Sequence, residues 1–382
     1  MIMISKANIM NTVQEYYFSD KLREVWSLAQ KGKPIINLGI GSPDLSPPSE
    51  VIEVLKNADV HSYQSYQGIP ELRNSISAFY DLHYNVSLDP DHEVLPLMGS
   101  KEGILHISMA FLNPGDQVLI PDPGYPTYAS VTNLVEAVPV TYALDEKHNW
   151  WPDLDELEKM DLEKVKLMWV NYPHMPTGSN AEKGLFEDLI AFGLKHEILI
   201  VNDNPYSFIL NDNPQSILSV PEAKEIAIEL NSLSKTFNMA GWRVGMVVGK
   251  EDYLKAILQV KSNMDSGMFY GIQLGASKAL TLPLSWFEDM NLVYQERRDI
   301  VWRICDRLNL KYDKGSSGMF VWARLPQGRT AEEFCDKILY EHDVFVTPGT
   351  VFGEQGEGYI RFSLCLPKNQ IEEVEQRLTS MK

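Results

Sequence analysis

From about residue 94 onward the chain repeats one pattern that few folds can accommodate. Short apolar runs without polar alternation lie at Gln117 to Ile120, Lys166 to Val170, Glu197 to Val201, Ile226 to Leu230 and Val244 to Val248. Between several of them come helix-like stretches, such as Ile104 to Leu112 and Gly184 to His196. A strand that faces water on one side alternates polar and apolar residues; a run that does not alternate must be covered on both faces. The pattern therefore predicts an α/β fold, a mostly parallel sheet with helices on both faces.

The flanking segments read differently. Tyr17 to Ala29 predicts a helix, with Leu22, Val25, Trp26 and Ala29 at helical spacing, and Ser49 to Ala58 another, with Ser49 as its N-cap. Leu72, Ile76, Phe79 and Tyr80 stripe a third. Beyond residue 283 a long amphipathic helix, Trp286 to Leu308, precedes a Gly315-Ser316-Ser317-Gly318 turn. Strand-like Met319 to Ala323, a helix at Ala331 to His342 and strand-like Tyr359 to Cys365 follow. These make a second, smaller α+β unit. The predicted division is an N-terminal arm over residues 1–45 that also contributes to the small domain, a large domain over 46–283 and a small C-terminal domain over 284–382. A chain of 382 residues suits two domains.

Charge and composition exclude several function classes. Against 34 Lys and Arg stand 52 Asp and Glu, a net charge of −18 whose field repels nucleic-acid phosphates and anionic lipid. Cys305, Cys335 and Cys365 are odd in number, far apart and without Cys-x-x-Cys spacing, so reduced thiols in a cytoplasmic protein are expected. Met1 to Met10 lacks a basic start followed by a sustained apolar run, the signature of a secretory leader. No stretch approaches the roughly 18–20 apolar residues of a membrane helix. No His-x-x-x-His, Asp-rich or Cys/His grouping predicts a metal site. Gly-x-Ser-x-Gly and a phosphate loop ending in Gly-Lys-Ser/Thr are both absent.

Several polar residues sit where open α/β sheets bind ligands, at the carboxyl ends of the apolar runs. Lys235 follows one of them in Asn231-Ser232-Leu233-Ser234-Lys235, and Arg243 lies eight residues on. A lone Lys is ordinarily a solvated surface residue, but one desolvated near a cation has a lowered pKa and can attack a carbonyl. Asp203, in Asn202-Asp203-Asn204-Pro205-Tyr206, is either turn chemistry or a carboxylate aimed into a cleft. Asn171, ending the run before it, invites the same two readings. Gly99-Ser100-Lys101-Glu102-Gly103 opens a helix whose free amides could hold an anion, or Ser100 is simply its N-cap. Gly39-Ile40-Gly41 is no dinucleotide fingerprint, since Asp44 occupies the third glycine position. Arg361 interrupts an apolar strand, either as a water-facing edge residue or as a fork for a carboxylate.

Taken together these motifs resemble the class I/II, fold-type I aminotransferases that depend on pyridoxal 5′-phosphate. The similarity runs from about Tyr17 to the C-terminus. It rests on Ser232-x-Ser234-Lys235 with Gly241-Trp242-Arg243-x-Gly245, on Asp203-x-x-Tyr206 and on Pro176-Thr177-Gly178. Tyr63-x4-Gly68-Ile69-Pro70-Glu71-Leu72-Arg73 and Pro123-Gly124-Tyr125-Pro126-x-Tyr128 add to it. The resemblance implies that Lys235 carries the cofactor as an aldimine and shuttles a proton, and that Asp203 keeps the pyridine nitrogen protonated. Tyr206 would donate to the phenolate oxygen and Tyr125 would stack on the ring. Ser100, Lys101, Ser232, Ser234 and Arg243 would hold the phosphate, with Tyr63 reaching it from the neighbouring subunit of a homodimer. Asn171 would also contact the cofactor. Arg361, helped by the Gly41 amide, would grip the substrate carboxylate. Met175 stands where the family usually has Asn before Pro-Thr-Gly, which predicts a raised pKa for the aldimine.

Gly99-Ser100-Lys101-Glu102-Gly103-Ile104 and Leu38-Gly39-Ile40-Gly41 look most like the diaminopimelate and alanine subgroup, with aspartate enzymes near it. The expected activity is ping-pong transfer of an amino group between an L-amino acid and a 2-oxo acid, with 2-oxoglutarate and glutamate as one pair. β-Elimination from a sulfur amino acid would keep the same residues, and a catalytically silent cofactor-binding protein is the reading from another class.

Overall fold

The computed structural model describes residues 4–13 and 17–381. The first three residues of the stretch read as lacking a leader therefore lie outside the described residues. The predicted sheet has seven strands. In space they run Val94–Leu97, Gly245–Gly249, Ala227–Ser232, Leu199–Asp203, Val165–Val170, Gln117–Asp122 and Val138–Ala143. Gly245–Gly249 is antiparallel to both its neighbours, and the other six strands share one direction. Every residue of Leu199–Asp203 and Ala227–Ser232 is buried, as non-alternating runs require. Val138–Ala143 forms an edge and is largely exposed, so it carries too weak an apolar pattern to be predicted.

Helices cover the sheet on both faces. One core gathers Leu72, Ile76, Phe79 and Tyr80 with Leu189 and Phe186; another gathers Ile104, Ile107, Tyr128 and Trp169. Glu229 is fully buried in the middle of the sheet and accepts hydrogen bonds from Tyr80 Oη, Asn202 Nδ2 and the Ile217 amide, all at 3.0–3.1 Å. Three donors offset much of the cost of desolvating it. Burial nevertheless holds its pKa above the ordinary carboxylate value.

Some local expectations need correction. Pro48, not Ser49, is the N-cap of Ser49–Lys56, so Ser49 is already helical. The helix expected from Ile104 begins at Ser100, behind the N-cap Gly99, so Ser100 is not a cap; its polar first turn hides the start from a periodicity search. Arg361 is no edge residue. Its strand, Tyr359–Ser363, is flanked by Phe320–Arg324 and Thr347–Pro348, and Arg361 is 4% exposed.

The segment after residue 283 starts the long Leu284–Arg307 helix and packs a core of its own with Ile36 and Leu38 from near the N-terminus. Ile36–Asn37 pairs in parallel with Val344–Phe345, and the Ser363 amide donates to the Leu38 carbonyl at 2.7 Å. Asp44, which broke the dinucleotide fingerprint, takes a two-pronged salt bridge from Arg297 at 2.6 and 2.9 Å. The Gly39–Asp44 stretch is thereby tied down above the carboxyl edge of the large sheet. Cys305, Cys335 and Cys365 are buried and unbridged. Among the described residues no helix is long and apolar enough to cross a membrane.

Candidate active site

The carboxyl ends of five parallel strands converge on one edge of the large sheet, and the loops leaving them build a cavity of about 570 Å³. It is lined by Ser100, Lys101, Tyr125, Asn171, Asp203, Tyr206, Ser232, Ser234, Lys235, Arg243, Arg361 and Gly41. These are all the predicted site residues but one. The exception, Tyr63, is 89% exposed and stands outside its own chain's cavity.

At one end lies an anion cradle. The Ser100–Phe111 helix points its N-terminus into the cavity, where first-turn amides and the helix dipole favour negative charge. Gly99 has φ +92°, and a Cβ there would lie 2.1 Å from Arg243 Nη2; a Cβ on Gly245 would lie 2.6 Å from the Ser100 amide nitrogen. Both positions must be glycine for Arg243 and the helix to close on the same spot. Arg243 Nη1 donates to Ser234 Oγ at 3.4 Å and to the Ala240 carbonyl at 2.9 Å, while Ser232 Oγ donates to Ser234 Oγ at 2.9 Å. Burial, reinforced by Arg243, lowers the pKa of Lys101.

In the middle, Asp203 ends its strand 5% exposed. Tyr128 Oη donates to its Oδ2 at 2.9 Å, and its Oδ1 is buried with no hydrogen-bond partner among the described residues. Burial raises the Asp203 pKa to about 7; the Tyr128 hydrogen bond works against that rise and Glu229 adds to it. Tyr128 was visible only as part of a motif. Its position three residues after Tyr125, near the start of the Thr127–Leu134 helix, turns it beneath the cavity, where it stacks on Trp169 with ring centroids 4.9 Å apart. Asn171 acts on the loops. Its Nδ2 donates to the Asp203 carbonyl and its Oδ1 accepts from the Met175 amide at 2.8 Å.

Lys235 sits on the single turn Leu233–Thr236 that follows its strand, and its Nζ donates to the Gly41 carbonyl. Burial lowers its pKa; the nearby Cys365 opposes the shift, and Arg361 and then Arg243 assist it. The sequence argument named Arg243 alone, so Arg361 is an addition.

Arg361 closes the far end. Nη2 donates to the Gly39 carbonyl at 2.7 Å and Nη1 to Met175 Sδ at 3.3 Å. Its guanidinium lies over the rings of Phe320 and Phe352, at 4.0 and 4.6 Å from their centroids. Phe320 also explains Gly41, where a Cβ would come within 2.3 Å of that ring. Sequence reading gave no signal for Phe320, Phe352, Leu22 or Ile40, which line the cavity as ordinary apolar residues of distant segments.

The sequence model of the family described as "Aminotransferase class I and II" matches residues 33–378. The chain belongs to the class I and II aminotransferases. It is similar to the LL-diaminopimelate aminotransferase of Aquifex aeolicus, 37% identical over 379 residues that cover 98% of each chain. It is also similar to the enzyme of that name from Natranaerobius thermophilus, 39% identical over 381 residues, 98% of this chain and 99% of the other. Among solved structures, apo-BacF from Bacillus subtilis superposes with a TM-score of 0.94 at 35% identity, over 100% of this chain and 98% of that one. This aminotransferase has the fold-type I architecture and depends on pyridoxal 5′-phosphate. The cavity fits that group: the unpartnered Asp203 Oδ1 suits a ring N–H, and the cradle kept open by Gly99 and Gly245 suits a phosphate.

Away from the cavity, Glu102, His106 and Asp265 bring ligand-type atoms within 4.8 Å of one another, a grouping that chain spacing conceals. Lys261 Nζ lies 3.0 Å from Asp265 Oδ2 and neutralises it, so a divalent ion there would add an uncompensated positive charge.

Proposed function

We propose that this transaminase performs its amino transfer with the residues of the cavity in the following roles. Bound there, pyridoxal 5′-phosphate supplies a carbonyl carbon for the amino group and a ring that withdraws electrons from the substrate Cα. Ser100, Lys101, Ser232, Ser234 and Arg243 hold its phosphate, Tyr125 faces the ring, and Asp203 holds the proton on the ring nitrogen. Asn171 sets the two loops beside it, and Tyr206 donates a hydrogen bond to the phenolate oxygen. Lys235 Nζ, its pKa lowered chiefly by burial, would link to the cofactor at rest and, once released, take the proton from the substrate Cα. Arg361 with the Gly41 amide grips the α-carboxylate and so orients the Cα–H bond toward Lys235. The observation that carries this reading is the presence of Lys235, Asp203 and Arg361 in one cavity with the phosphate cradle.

The exposed Tyr63 supports a homodimer in which it completes the partner's phosphate site. The division into residues 1–45, 46–283 and 284–382 belongs to the same proposal, supported by the separate core that Ile36 and Leu38 share with the C-terminal segment. A cytoplasmic setting is supported by the three unbridged cysteines. 2-Oxoglutarate and glutamate are taken as one substrate pair.

The test is a single-turnover titration of the purified protein with amino donors in the absence of any oxo acid. Conversion of the visible cofactor band with stoichiometric release of a 2-oxo acid is expected. Release of ammonia and pyruvate from cystathionine in its place would make the protein an eliminating lyase. A cofactor band that no compound converts would make it catalytically silent.

A further inference from the structure

Glu229 carries a carboxyl group into the interior of the large sheet, and the roles proposed above leave it unused. It is fully buried, stands opposite Asn202 in the pairing of Ala227–Ser232 with Leu199–Asp203, and does not line the cavity. Successive strand residues face opposite ways, so Glu229 and Asn202 lie on the face packed by Tyr80, while Asp203 lies on the face packed by Tyr128. Replacing a buried ionised group by an apolar one of similar size is commonly neutral or stabilising, so packing alone gives no reason for a carboxylate here.

Its hydrogen bonds run to three loops that carry cavity residues. Asn202 Nδ2 donates to Oε2 at 3.0 Å, and Asn202 Oδ1 accepts from the Tyr172 amide at 3.1 Å, next to Asn171. The Ile217 amide donates to Oε2 at 3.1 Å. It ends the loop that starts at Asn204 and holds Tyr206, and Asn204 Nδ2 closes that loop on the Gln215 carbonyl at 2.9 Å. Tyr80 Oη donates to Oε1 at 3.0 Å and accepts from Asn231 Nδ2 at 3.3 Å, and Asn231 Oδ1 accepts from the Ser232 amide at 2.7 Å. Ser232 caps the turn that presents Lys235. All three contacts on Glu229 are donors, the set that an ionised carboxylate accepts and that an amide, with a donor at one end, does not match.

We propose that Glu229 is a positioning residue for the amino transfer: from within the sheet, one carboxylate holds the loops of Asn171, Tyr206 and Lys235 in fixed positions around the cavity. This rests on the site roles proposed above. Its charge has a second effect. The titratable groups facing Glu229 are Tyr80 and Tyr84 of the helix Pro70–Tyr84 and Asp203 of the adjoining strand; those facing Asp203 from its other side are Tyr128 and Tyr206. Burial is the main cause that raises the Asp203 pKa, and Glu229 adds to it, so removing the Glu229 charge lets the Asp203 pKa fall.

Glu229→Gln keeps the volume, removes the charge and turns a donor against one of the three donors. It should weaken the binding of pyridoxal phosphate to the cofactor-free protein at least about fivefold, and slow single-turnover conversion of the holoenzyme by the best amino donor at least about tenfold. A third readout needs no cofactor. Between pH 5 and 8 the melting temperature should fall relative to that of the matching Asp203→Asn variant, and in the Glu229→Gln background this fall should be smaller. A folded Asp203 pKa nearer its unfolded value leaves less stability to lose as pH rises. Tyr80→Phe keeps the charge and cuts only the arm to Ser232, so it should weaken cofactor binding several-fold and leave that fall unchanged. Lower stability of Glu229→Gln alone, with affinity, conversion and the pH-dependent fall all at the wild-type level, would overturn the proposal. Should Glu229→Gln not fold, Tyr80→Phe with unchanged cofactor affinity would overturn it equally. A wild-type protein that converts no donor would instead defeat the transaminase roles on which the proposal rests.

Discussion

Tyr128 donates its phenolic hydrogen to Oδ2 of Asp203 at 2.9 Å and leaves Oδ1 buried without a partner, facing the cavity. One oxygen of the carboxylate is thus held by the protein, and in the proposed roles the other meets the cofactor. Tyr128→Phe removes the hydrogen bond that opposes the rise of the Asp203 pKa, so the carboxyl becomes harder to ionise. The acidic limb of the kcat/KM pH profile should move upward, with kcat down about tenfold and stability lower by about 1–3 kcal/mol. A loss of stability with an unmoved pH profile would limit Tyr128 to packing.

Asp203 also makes the stability of the cofactor-free protein depend on pH. Its folded pKa of about 7 lies above the ordinary 3.8, so the unfolded chain releases this proton first. The stabilisation is complete below about pH 4 and is lost as pH rises through about 7, a cost of roughly 4 kcal/mol when complete. Between pH 5 and 8 the melting temperature of cofactor-free wild type should therefore fall relative to that of Asp203→Asn. Added cofactor, by supplying a positive partner, should shrink the difference.

Replacing Lys235 with Ala removes the amine and little else from the cavity. Cofactor should still bind through the phosphate cradle and Asp203, but without the spectrum of the lysine linkage, and turnover should fall by at least about 10³. Activity near the wild-type level would remove Lys235 from proton transfer.

Gly99→Ala is a test of the cradle. The new Cβ would sit 2.1 Å from Arg243 Nη2 on a backbone at φ +92°, so both the guanidinium and the helix start must move. Cofactor affinity should drop tenfold or more, measured as the dissociation constant of pyridoxal phosphate by fluorescence quenching. An unchanged constant would place the phosphate elsewhere.

Met175→Asn restores the family's usual residue beside Arg361. An amide donor near the cofactor's phenolate oxygen stabilises its negative charge and loosens its hold on the neighbouring proton. The pH midpoint of the visible absorbance change should fall by about one unit relative to wild type. Asn171 Nδ2 uses one of its two hydrogens on the Asp203 carbonyl, so the variant reads what position 175 adds beyond the hydrogen that remains. An unshifted midpoint would contradict the role given to position 175.

The sequence alone determined the fold class and most of the chemistry-bearing residues. Short non-alternating apolar runs, set between helix-length segments, fit strands buried on both faces. Asn171 directly follows such a run, and Asp203 and Lys235 follow two others within five residues, so chain position places all three near strand ends; the parallel pairing of those strands is what brings the ends to one rim. Tertiary structure decided the rest. Arg361 reads equally well as an edge residue until the strand order places Tyr359–Ser363 between two neighbours. The Tyr128 bond to Asp203, the Gly99 contact with Arg243 and the apolar sleeve of Phe320, Phe352 and Met175 join segments far apart in the chain, and no local pattern records them. The shifted pKa values of Asp203 and Lys235 belong to the same category, because desolvation is a property of the packed cavity and not of any stretch of sequence.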